Sequence, residues 1–500
     1  MKKQVVFIMV DTQRTDMLGC YGNEGMKTPC LDALSKESLT YDLAYTCQPV
    51  CGPARSTIFT GLYPHSNGMW TNSIALGDNV KTIGQRLRDN KIHSGYIGKW
   101  HLDGGDYFGL GKCPDGWDSK YWYDMKCYLD ELTPDERVKS RNEATSKEDP
   151  ITEDFTYAHR CSNRAISFID EYKDEDFFMT VSYDEPHDPG LCPEPFASMY
   201  DDYVFPKSEN IWDDLENKPS HQKVWAGENV NEDKDSLDIT KRRLLACNSY
   251  VDYEIGRVLD EVHAKVPDAL IIYKSDHGDI MSAHSLFAKG PAPYDEITKI
   301  PLMIKSGNPE TTGKRYPYPV SHINLVPTIL EYMGVKRPQW LEGVSILDTV
   351  SDASVRVNDC IFMEFGRYEI DHDGFGGFQP LRCVFDGKYK LCINLLSEDE
   401  MYDMENDKAE MVNLINNEEL IPVRNKLHDK LLNWMNETRD PFRGYYWERR
   451  PWRTDAREAT WAYTGSTRQR ENEEYEPRQL DYSTGLEMKS ATREKKRISK

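Results

Sequence analysis

Short apolar runs that each end at a polar cluster recur along the first half of the chain. Residues 5–10 form one such run, rich in β-branched side chains, and Asp11 follows it directly. An apolar run without alternation is typical of a parallel strand buried on both faces. The arrangement recurs at residues 94–97 before Lys99 and His101, at 177–183 before His187, and at 269–273 before Asp276 and His277.

Segments with helical periodicity separate these runs, notably residues 82–88, 159–172 and 243–263. Strands that alternate with helices predict an α/β fold with a large, mostly parallel, doubly wound sheet flanked by helices. Open sheets of this kind bind ligands beyond the carboxyl ends of their strands. The four polar clusters at four predicted strand ends therefore indicate one shared site.

The pattern changes near residue 350, where strands become short and closely spaced. Residues 360–364, 381–385 and 388–394 predict an antiparallel sheet, and 422–436 an amphipathic helix packed on it. We expect a catalytic α/β domain over residues 1–350 and a small α+β subdomain over 351–440. The aromatic, Arg-rich tail 441–500 should pack on the body, with a flexible extreme end. Two polar stretches, 123–153 and 205–238, should border the pocket and select the substrate.

Composition narrows the class of protein. With 39% hydrophobic and 11% aromatic residues the chain is typical of a globular enzyme, and its net charge of −22 argues against a nucleic-acid-binding surface. The run at residues 5–10 is too short for a secretion signal, and no apolar run approaches the roughly 20 residues of a membrane span. We therefore expect a cytoplasmic protein without a membrane segment. The 12 cysteines have irregular spacings without a CxxC pair, which predicts mostly free, buried thiols.

The segment from Cys51 to Arg55, Cys-Gly-Pro-Ala-Arg, is the most informative stretch. Pro53 suits the first turn of a helix, which would place residue 51 at a helix N-terminus, where unpaired amides favour an anion. Arg55 would lie on the same face, four residues on. Alone, Cys51 could be an inert buried thiol and Arg55 half of a surface ion pair. Together they resemble the Cys-x-Pro-x-Arg signature of type I sulfatases, whose Cys is oxidised to formylglycine.

Other segments carry the same resemblance along most of the chain. Four of them are similar to family elements: Gly98-Lys99-Trp100-His101-Leu102, Glu185-Pro186-His187-Asp188-Pro189, Ser275-Asp276-His277-Gly278 with Lys289 after it, and Met401-Tyr402-Asp403. The resemblance places the chain in the alkaline phosphatase superfamily and predicts a sulfuric ester hydrolase of the arylsulfatase type. A formylglycine-generating enzyme is then an expected partner, and a small sulfate ester the expected substrate.

The resemblance also implies roles for individual residues. Residue 51 would attack sulfur as an aldehyde hydrate bound to a divalent metal, with Asp276 as base. Arg55, Lys99 and Lys289 would neutralise the sulfuryl oxygens. His187, with Lys289, would protonate the leaving oxygen, and His101 would deprotonate the second hydroxyl to expel sulfate.

The implied metal ligands are Asp11, Cys51 after its conversion, Asp276 and His277. This set departs from the commonest family pattern, which has adjacent Asp residues after the first strand and Asp-Asn at the second segment. Thr12 or Gln13 could add an oxygen, and the His277 nitrogen softens the preference for calcium. We expect Ca²⁺, with Mn²⁺ or Mg²⁺ as alternatives.

Two other functions stay open. Asp11-Thr12-Gln13-Arg14 and the Asp276-His277 pair also resemble phosphonate monoester and phosphodiester hydrolases of the same superfamily. A non-catalytic binder of sulfated ligands, with Cys51 unmodified, is the third hypothesis. The natural substrate could be a sulfated sugar or an aryl or steroid sulfate, and the sequence does not indicate an oligomeric state.

Some residues have weaker assignments. Trp70, Asn72 and the strip 367–378 could form the pocket wall, although ordinary surface loops are an equally good interpretation. Nothing in the sequence supplies a partner for His65, His93 or His284, so we expect structural roles for them.

Overall fold

The computed structural model describes residues 2–142, 150–235, 237, 241–370, 377–456 and 485. The strands are β1 (Gln4–Val10), β2 (Leu39–Tyr41), β3 (Ala44–Tyr45), β4 (His93–Gly98), β5 (Phe177–Ser182), β6 (Leu270–Ser275), β7 (Leu302–Lys305), β8 (Arg315–Tyr316), β9 (Val320–Ser321), β10 (Ile361–Arg367), β11 (Phe378–Phe385), β12 (Tyr389–Asn394) and β13 (Glu400–Asp403).

The helices flank the strands and cover both faces of the larger sheet. They are α1 (Pro29–Glu37), α2 (Cys51–Thr60), α3 (Pro64–Asn67), α4 (Ile83–Arg88), α5 (Met125–Asp130), α6 (Pro134–Ser140), α7 (Tyr157–Tyr172), α8 (Ser220–Ala226), α9 (Arg242–Lys265), α10 (Asp295–Thr298), α11 (Leu325–Met333), α12 (Ile421–Glu437) and α13 (Tyr445–Glu448).

In the described part of the chain the larger sheet has seven strands, in the order β4-β5-β1-β6-β7-β2-β8. The central strands β4, β5, β1 and β6 are parallel, whereas β7 is antiparallel to β6 and β2 is antiparallel to β7. The register pairs Val10 with Ser275, and Ser182 with both Met9 and Gly98. The four parallel strands therefore end level with one another, which confirms the predicted mostly parallel sheet.

The β1 strand shows why these strands read as continuous apolar runs. Val6, Ile8 and Val10 pack into a core with helices α1, α7 and α9 on one face of the sheet. Val5, Phe7 and Met9 pack into a second core with α2, α4 and α11 on the other. Because both faces of the strand are buried, neither set of alternating positions tolerates a polar side chain.

The smaller sheet is antiparallel, in the order β10-β11-β12-β13. One face packs against α12, whose Leu427, Leu431 and Trp434 share a core with β11, β12 and β13 residues. The other face shares a core with side chains from the larger part of the molecule, including Tyr45 and Tyr294. The predicted small antiparallel sheet with a helix is confirmed, with β13 added to the three predicted strands.

The polar stretches and the tail are described only in part. Of the stretch 123–153 the described portion carries α5 and α6, and of 205–238 it carries α8. In the tail, Trp447 is buried against α12, while residues 457–484 and 486–500 lie outside the described residues. Among the helices in the described residues, none combines the length and apolar character needed to cross a bilayer.

Candidate active site

The level strand ends bring residues from distant parts of the chain to one point. Asp11 follows β1, and Asp276 and His277 follow β6. With Cys51 they form a buried group in which one carboxylate, sulfur or imidazole atom from each residue lies within 4.8 Å of all the others. The structure therefore assembles the four residues whose side chains the sequence assigned to a metal.

Cys51 is the first residue of α2, as the position of Pro53 predicted. Its Sγ lies 3.1 Å from His277 Nε2, 3.8 Å from Asp11 Oδ1 and 2.9 Å from Lys289 Nζ. Burial and Asp11 oppose ionisation of the thiol, but Lys289, Lys99 and His277 together hold its pKa well below the ordinary value. The first turn of α2 thus faces a cluster of basic side chains.

Arg55 is fully buried and holds the two carboxylates together. Its Nε donates to Asp276 Oδ2 and its Nη2 to Asp11 Oδ2, both at 3.0 Å. Its Nη1 donates to the Lys99 carbonyl at 2.7 Å and to Ser182 Oγ at 2.8 Å. The sequence analysis assigned this guanidinium to the sulfuryl oxygens, and in the structure its four bonds go to the two carboxylates and to the ends of β4 and β5.

Lys99 is the second buried cation of the site. Its Nζ lies 2.8 Å from Asp11 Oδ2 and 2.9 Å from Asp184 Oδ1. It also lies 4.0 Å from the ring centroid of Tyr107. Although burial opposes ionisation, Lys99, His187 and Arg55 hold the pKa of the Asp11 carboxyl well below its usual range.

Lys289 is the third buried cation of the site. Besides its contact with the sulfur, its Nζ lies 3.0 Å from His277 Nε2. Burial opposes its charge, but Cys51 and Tyr368 raise its pKa above the ordinary lysine value. The side chain is therefore a fixed positive charge at the start of α2.

The two catalytic histidines of the sequence prediction differ in their surroundings. His101 is buried, has a left-handed φ of 54° and has no hydrogen-bond partner for Nδ1 among the described residues. Burial lowers its pKa below the ordinary value, partly offset by Cys51. His187 is half-buried and its Nδ1 lies 3.1 Å from Tyr107 Oη and 3.1 Å from the Asp188 carbonyl.

The donor set fits a divalent cation. Asp11 and Asp276 supply hard carboxylate oxygens. His277 Nδ1 donates to the Gly278 carbonyl at 2.8 Å, so that Nε2, which faces Cys51 and Asp11, is the ring nitrogen available to a metal. The predicted extra ligands have other contacts. Thr12 Oγ1 donates to Asp11 Oδ1 at 2.7 Å, and the Gln13 side chain bonds to Asn248 and Tyr273.

Of the two predicted wall residues, Asn72 reaches the site. Its Oδ1 accepts from the Gly52 amide at 2.9 Å, and its amide nitrogen donates to Glu369 Oε1 at 3.1 Å. The Trp70 ring lies instead 6.5 Å from Phe378 and 6.3 Å from Phe442. Residues 371–376 of the predicted strip lie outside the described residues.

The three histidines for which we expected structural roles have acidic partners that the sequence did not reveal. His65 Nδ1 forms a short bond to Glu364, His284 Nδ1 lies 2.6 Å from Asp213, and His93 Nε2 lies 2.8 Å from Glu175. Each partner is more than 70 positions away in sequence, so no local pattern announces it. Sequence reasoning also missed Tyr107, which has no motif around it, whereas Tyr368 lies in the strip 367–378 that the sequence analysis named as a candidate pocket wall.

Comparison with known proteins gives the family. The sulfatase family model matches residues 3–335, and the model of the N-sulphoglucosamine sulphohydrolase C-terminal region matches residues 283–437. The chain is 44% identical to an uncharacterized sulfatase, YidJ of Escherichia coli K12, over 98% of both chains. This chain belongs to the sulfatase family. The sulfatase is thus a member of the alkaline phosphatase superfamily and a sulfuric ester hydrolase.

More distant relatives and solved structures share the sulfatase's architecture. An arylsulfatase of Clostridium perfringens is 26% identical over 84% of this chain and 91% of its own. A structure in complex with its substrate D-glucosamine-2-N,6-O-disulfate matches with a TM-score of 0.71 at 20% identity, covering 88% of this chain and 99% of that one. A phosphonate monoester hydrolase of Agrobacterium radiobacter matches with a TM-score of 0.73 at 21% identity, covering 87% and 96%. At these identities the two structures show the fold alone.

Proposed function

We propose that this sulfatase hydrolyses sulfate monoesters of sugars or of aryl or steroid alcohols, with residue 51 as the nucleophile. The observation that carries the proposal is the position of Cys51 Sγ, 2.9 Å from Lys289 Nζ and 3.1 Å from His277 Nε2, beside two buried carboxylates. A nucleophile at this place faces both the cations that an anionic ester needs and a group of metal-type ligands.

The proposed cofactors are a divalent metal and formylglycine at position 51. Asp11, Asp276, His277 and residue 51 would hold the metal, for which calcium is our first choice and manganese or magnesium the alternatives. When bound, such a metal lowers the pKa of an oxygen ligand and orients it, and formylglycine supplies a hydroxyl nucleophile in its hydrated form. A formylglycine-generating enzyme is the corresponding partner.

The protein's own residues divide the remaining work. Lys289 and Lys99 neutralise charge on the sulfuryl group, while Arg55 acts mainly by fixing Asp11 and Asp276 in place. His187 Nε2 is the proposed proton donor to the leaving oxygen. His101, whose lowered pKa keeps it neutral near pH 7, is the proposed acceptor of the proton released when sulfate departs from residue 51.

The range of relatives supports the class of substrate. They include a choline-sulfatase of Rhizobium meliloti at 25% identity and an N-acetylglucosamine-6-O-sulfatase of Bacteroides thetaiotaomicron at 22% identity. These activities share the sulfate ester and differ in the alcohol. We therefore propose sulfate as the recognised group, and a panel of sulfated sugars and aryl sulfates as the first substrates to test.

The runner-up is hydrolysis of phosphonate monoesters or phosphodiesters. It is favoured by the Asp276-His277 pair in the ligand group, which resembles those hydrolases. A pocket for a sulfate monoester needs space for one organic substituent on sulfur, whereas a diesterase pocket needs space for a second substituent on phosphorus. Rates on 4-nitrophenyl sulfate and on a 4-nitrophenyl phosphodiester therefore distinguish the two proposals.

The decisive experiment combines mass and activity. The mass of the peptide containing Cys51 is measured from protein co-expressed with a formylglycine-generating enzyme, and sulfate release from an aryl sulfate is measured on the same sample. We expect an aldehyde at position 51 and sulfate release that Cys51→Ala abolishes. Cys47→Ala is the matched control, because this buried thiol lies 3.7 Å from Ser321 Oγ and burial raises its pKa to about 12.

Three results would count against the proposal. Phosphodiester cleavage without sulfate release would favour the runner-up. Complete oxidation of Cys51 without turnover of either ester would favour the non-catalytic binder. Sulfate release that survives Cys51→Ala would remove residue 51 from the chemistry.

A further inference from the structure

Tyr107 contacts four of the polar residues of the site. Its Oη is 2.6 Å from Asp184 Oδ1 and 3.1 Å from His187 Nδ1. Its ring contacts Lys99 Nζ at 4.0 Å from the centroid, and the His101 ring lies edge-on at 5.2 Å. No sequence motif marks this residue, which follows the Gly98-Lys99-Trp100-His101 segment by a short loop.

The hydrogen positions in this chain of contacts follow from the acceptors. Asp184 is paired with Lys99 and ionised, so that Tyr107 Oη–H donates to its carboxylate. The Asp188 carbonyl, 3.1 Å from His187 Nδ1, can only accept, so that Nδ1 must carry a hydrogen. That hydrogen is shared between the carbonyl and the lone pair of Tyr107 Oη.

We propose that Tyr107 is a positioning residue for leaving-group protonation, which fixes the ring and the Nδ1–H tautomer of His187 through a relay from Nδ1–H to Tyr107 Oη and from Tyr107 Oη–H to Asp184. The inference rests on the proposed function of His187. As the proposed proton donor, the His187 ring carries hydrogens on both nitrogens before the transfer. When Nε2 gives its proton to the departing oxygen, the neutral ring keeps Nδ1–H and its bonds to Asp188 and Tyr107.

The relay also connects the leaving-group side of the site with the nucleophile side. Lys99 Nζ bridges Asp184 Oδ1 and Asp11 Oδ2, at 2.9 and 2.8 Å. The carboxylate that accepts from Tyr107 is therefore held by the same cation that contacts the proposed metal ligand. Burial and Asp184 raise the pKa of Tyr107 well above its ordinary value, so that its hydroxyl stays protonated as the relay requires.

The test uses the dependence of the rate on the leaving group. Nitrophenolate departs without a proton, whereas an alkoxide requires one, so that only alkyl esters depend strongly on the acid. We expect Tyr107→Phe to lower kcat for an alkyl sulfate by about 10-fold or more, and for 4-nitrophenyl sulfate by less than about 3-fold, with KM little changed. His187→Asn should show the same pattern with a larger loss on the alkyl ester.

Tyr128→Phe is the matched control. This tyrosine lines the same cavity as His187, but its hydroxyl donates to the Phe155 carbonyl at 2.8 Å. The variant should leave both rates unchanged. Tyr107→Phe keeps the ring against Lys99 and His101, so that the substitution removes only the hydroxyl.

The outcomes separate this inference from the proposed function. An equal loss on both esters in Tyr107→Phe, with the selective loss retained in His187→Asn, overturns the relay and leaves the sulfatase chemistry standing. If the enzyme cleaves phosphodiesters and no sulfate esters, the proposed function fails, and the same comparison of alkyl and aryl leaving groups on diesters tests the relay. Absence of turnover on both classes overturns both.

Discussion

Arg55→Met should destabilise the metal-free sulfatase much more than the metal-bound one. The guanidinium and both carboxylates are completely buried, and one cation is shared between Asp11 and Asp276. Removing one partner of a buried ion pair leaves an uncompensated charge and costs about 3–5 kcal/mol. Lys99 still contacts Asp11 in the variant, so that most of this loss comes from the Asp276 carboxylate.

A bound divalent cation would change this result. It supplies positive charge to the same two carboxylates, so that the variant would lose chiefly the hydrogen bonds of the guanidinium, about 1–2 kcal/mol. The difference, about 2 kcal/mol, is by linkage roughly a 30-fold gain in metal affinity in the variant. The sulfatase variant should therefore bind its metal more tightly while being less stable and less active.

The assay is the midpoint of urea unfolding, followed by tryptophan fluorescence, with a chelator and with saturating calcium. Arg86→Met is the matched control, because this buried arginine donates to the Lys81 carbonyl and lies 5.9 Å from the Trp340 ring, away from the carboxylates. Arg86→Met should lower the free energy of unfolding by the same amount with the chelator and with calcium. An equal loss for Arg55→Met with and without metal would refute the idea that the guanidinium and the metal share these carboxylates.

Two further predictions concern the start of α2 and the junction with the smaller sheet. A Cβ at Gly52 would lie 2.7 Å from Met69 Cε and 2.9 Å from Asn72 Oδ1. Gly52→Ala should therefore displace residue 51 and lower kcat on an aryl sulfate by about 10-fold or more. An unchanged kcat would show that the Asn72 contact does not position the nucleophile. For His65, burial opposes protonation, but Glu364 raises the pKa of the imidazole above the ordinary value. The stabilising contribution of the ion pair is therefore complete below the unfolded-state pKa of about 6.5. It is lost as pH rises through the higher folded-state pKa. The difference in unfolding free energy between the wild type and His65→Gln should accordingly be larger at about pH 6 than at about pH 9, and a difference independent of pH would contradict the ion pair.

The strand ends of the site were predictable because a strand that is buried on both faces has a continuous apolar sequence. The apolar run before Asp11 indicates a strand, and parallel strands that end together bring their next residues together. The four-residue spacing of Cys51 and Arg55 likewise predicted a shared helix face. What the guanidinium binds there depends on the register between β1, β5 and β6, which no local pattern encodes.

The contacts of Tyr107 and Asn72 illustrate what the sequence does not reveal, although Asn72 itself was a candidate pocket-wall residue. Each residue lies in a loop, where side chains have no periodicity, and each meets a residue that another element brings to it. The Asn72 contact with Gly52 depends on the path of the chain after α3, and the Tyr107 contact with Asp184 on the path after β4. Such contacts follow from tertiary packing and become visible only when the sheet and helix positions are known.

The burial of Cys51 bears on the order of folding and of the proposed modification of this residue. Its side chain is 1% exposed, and every residue of α2 around it is buried. If residue 51 is converted to formylglycine as proposed, the modifying enzyme must reach the thiol before α2 packs against the sheet and α11, so that modification and folding compete for the same newly made segment. A molecule that folds first is trapped in its unprocessed form until it unfolds. The fraction of active molecules in a preparation then depends on whether modification or folding was faster during synthesis.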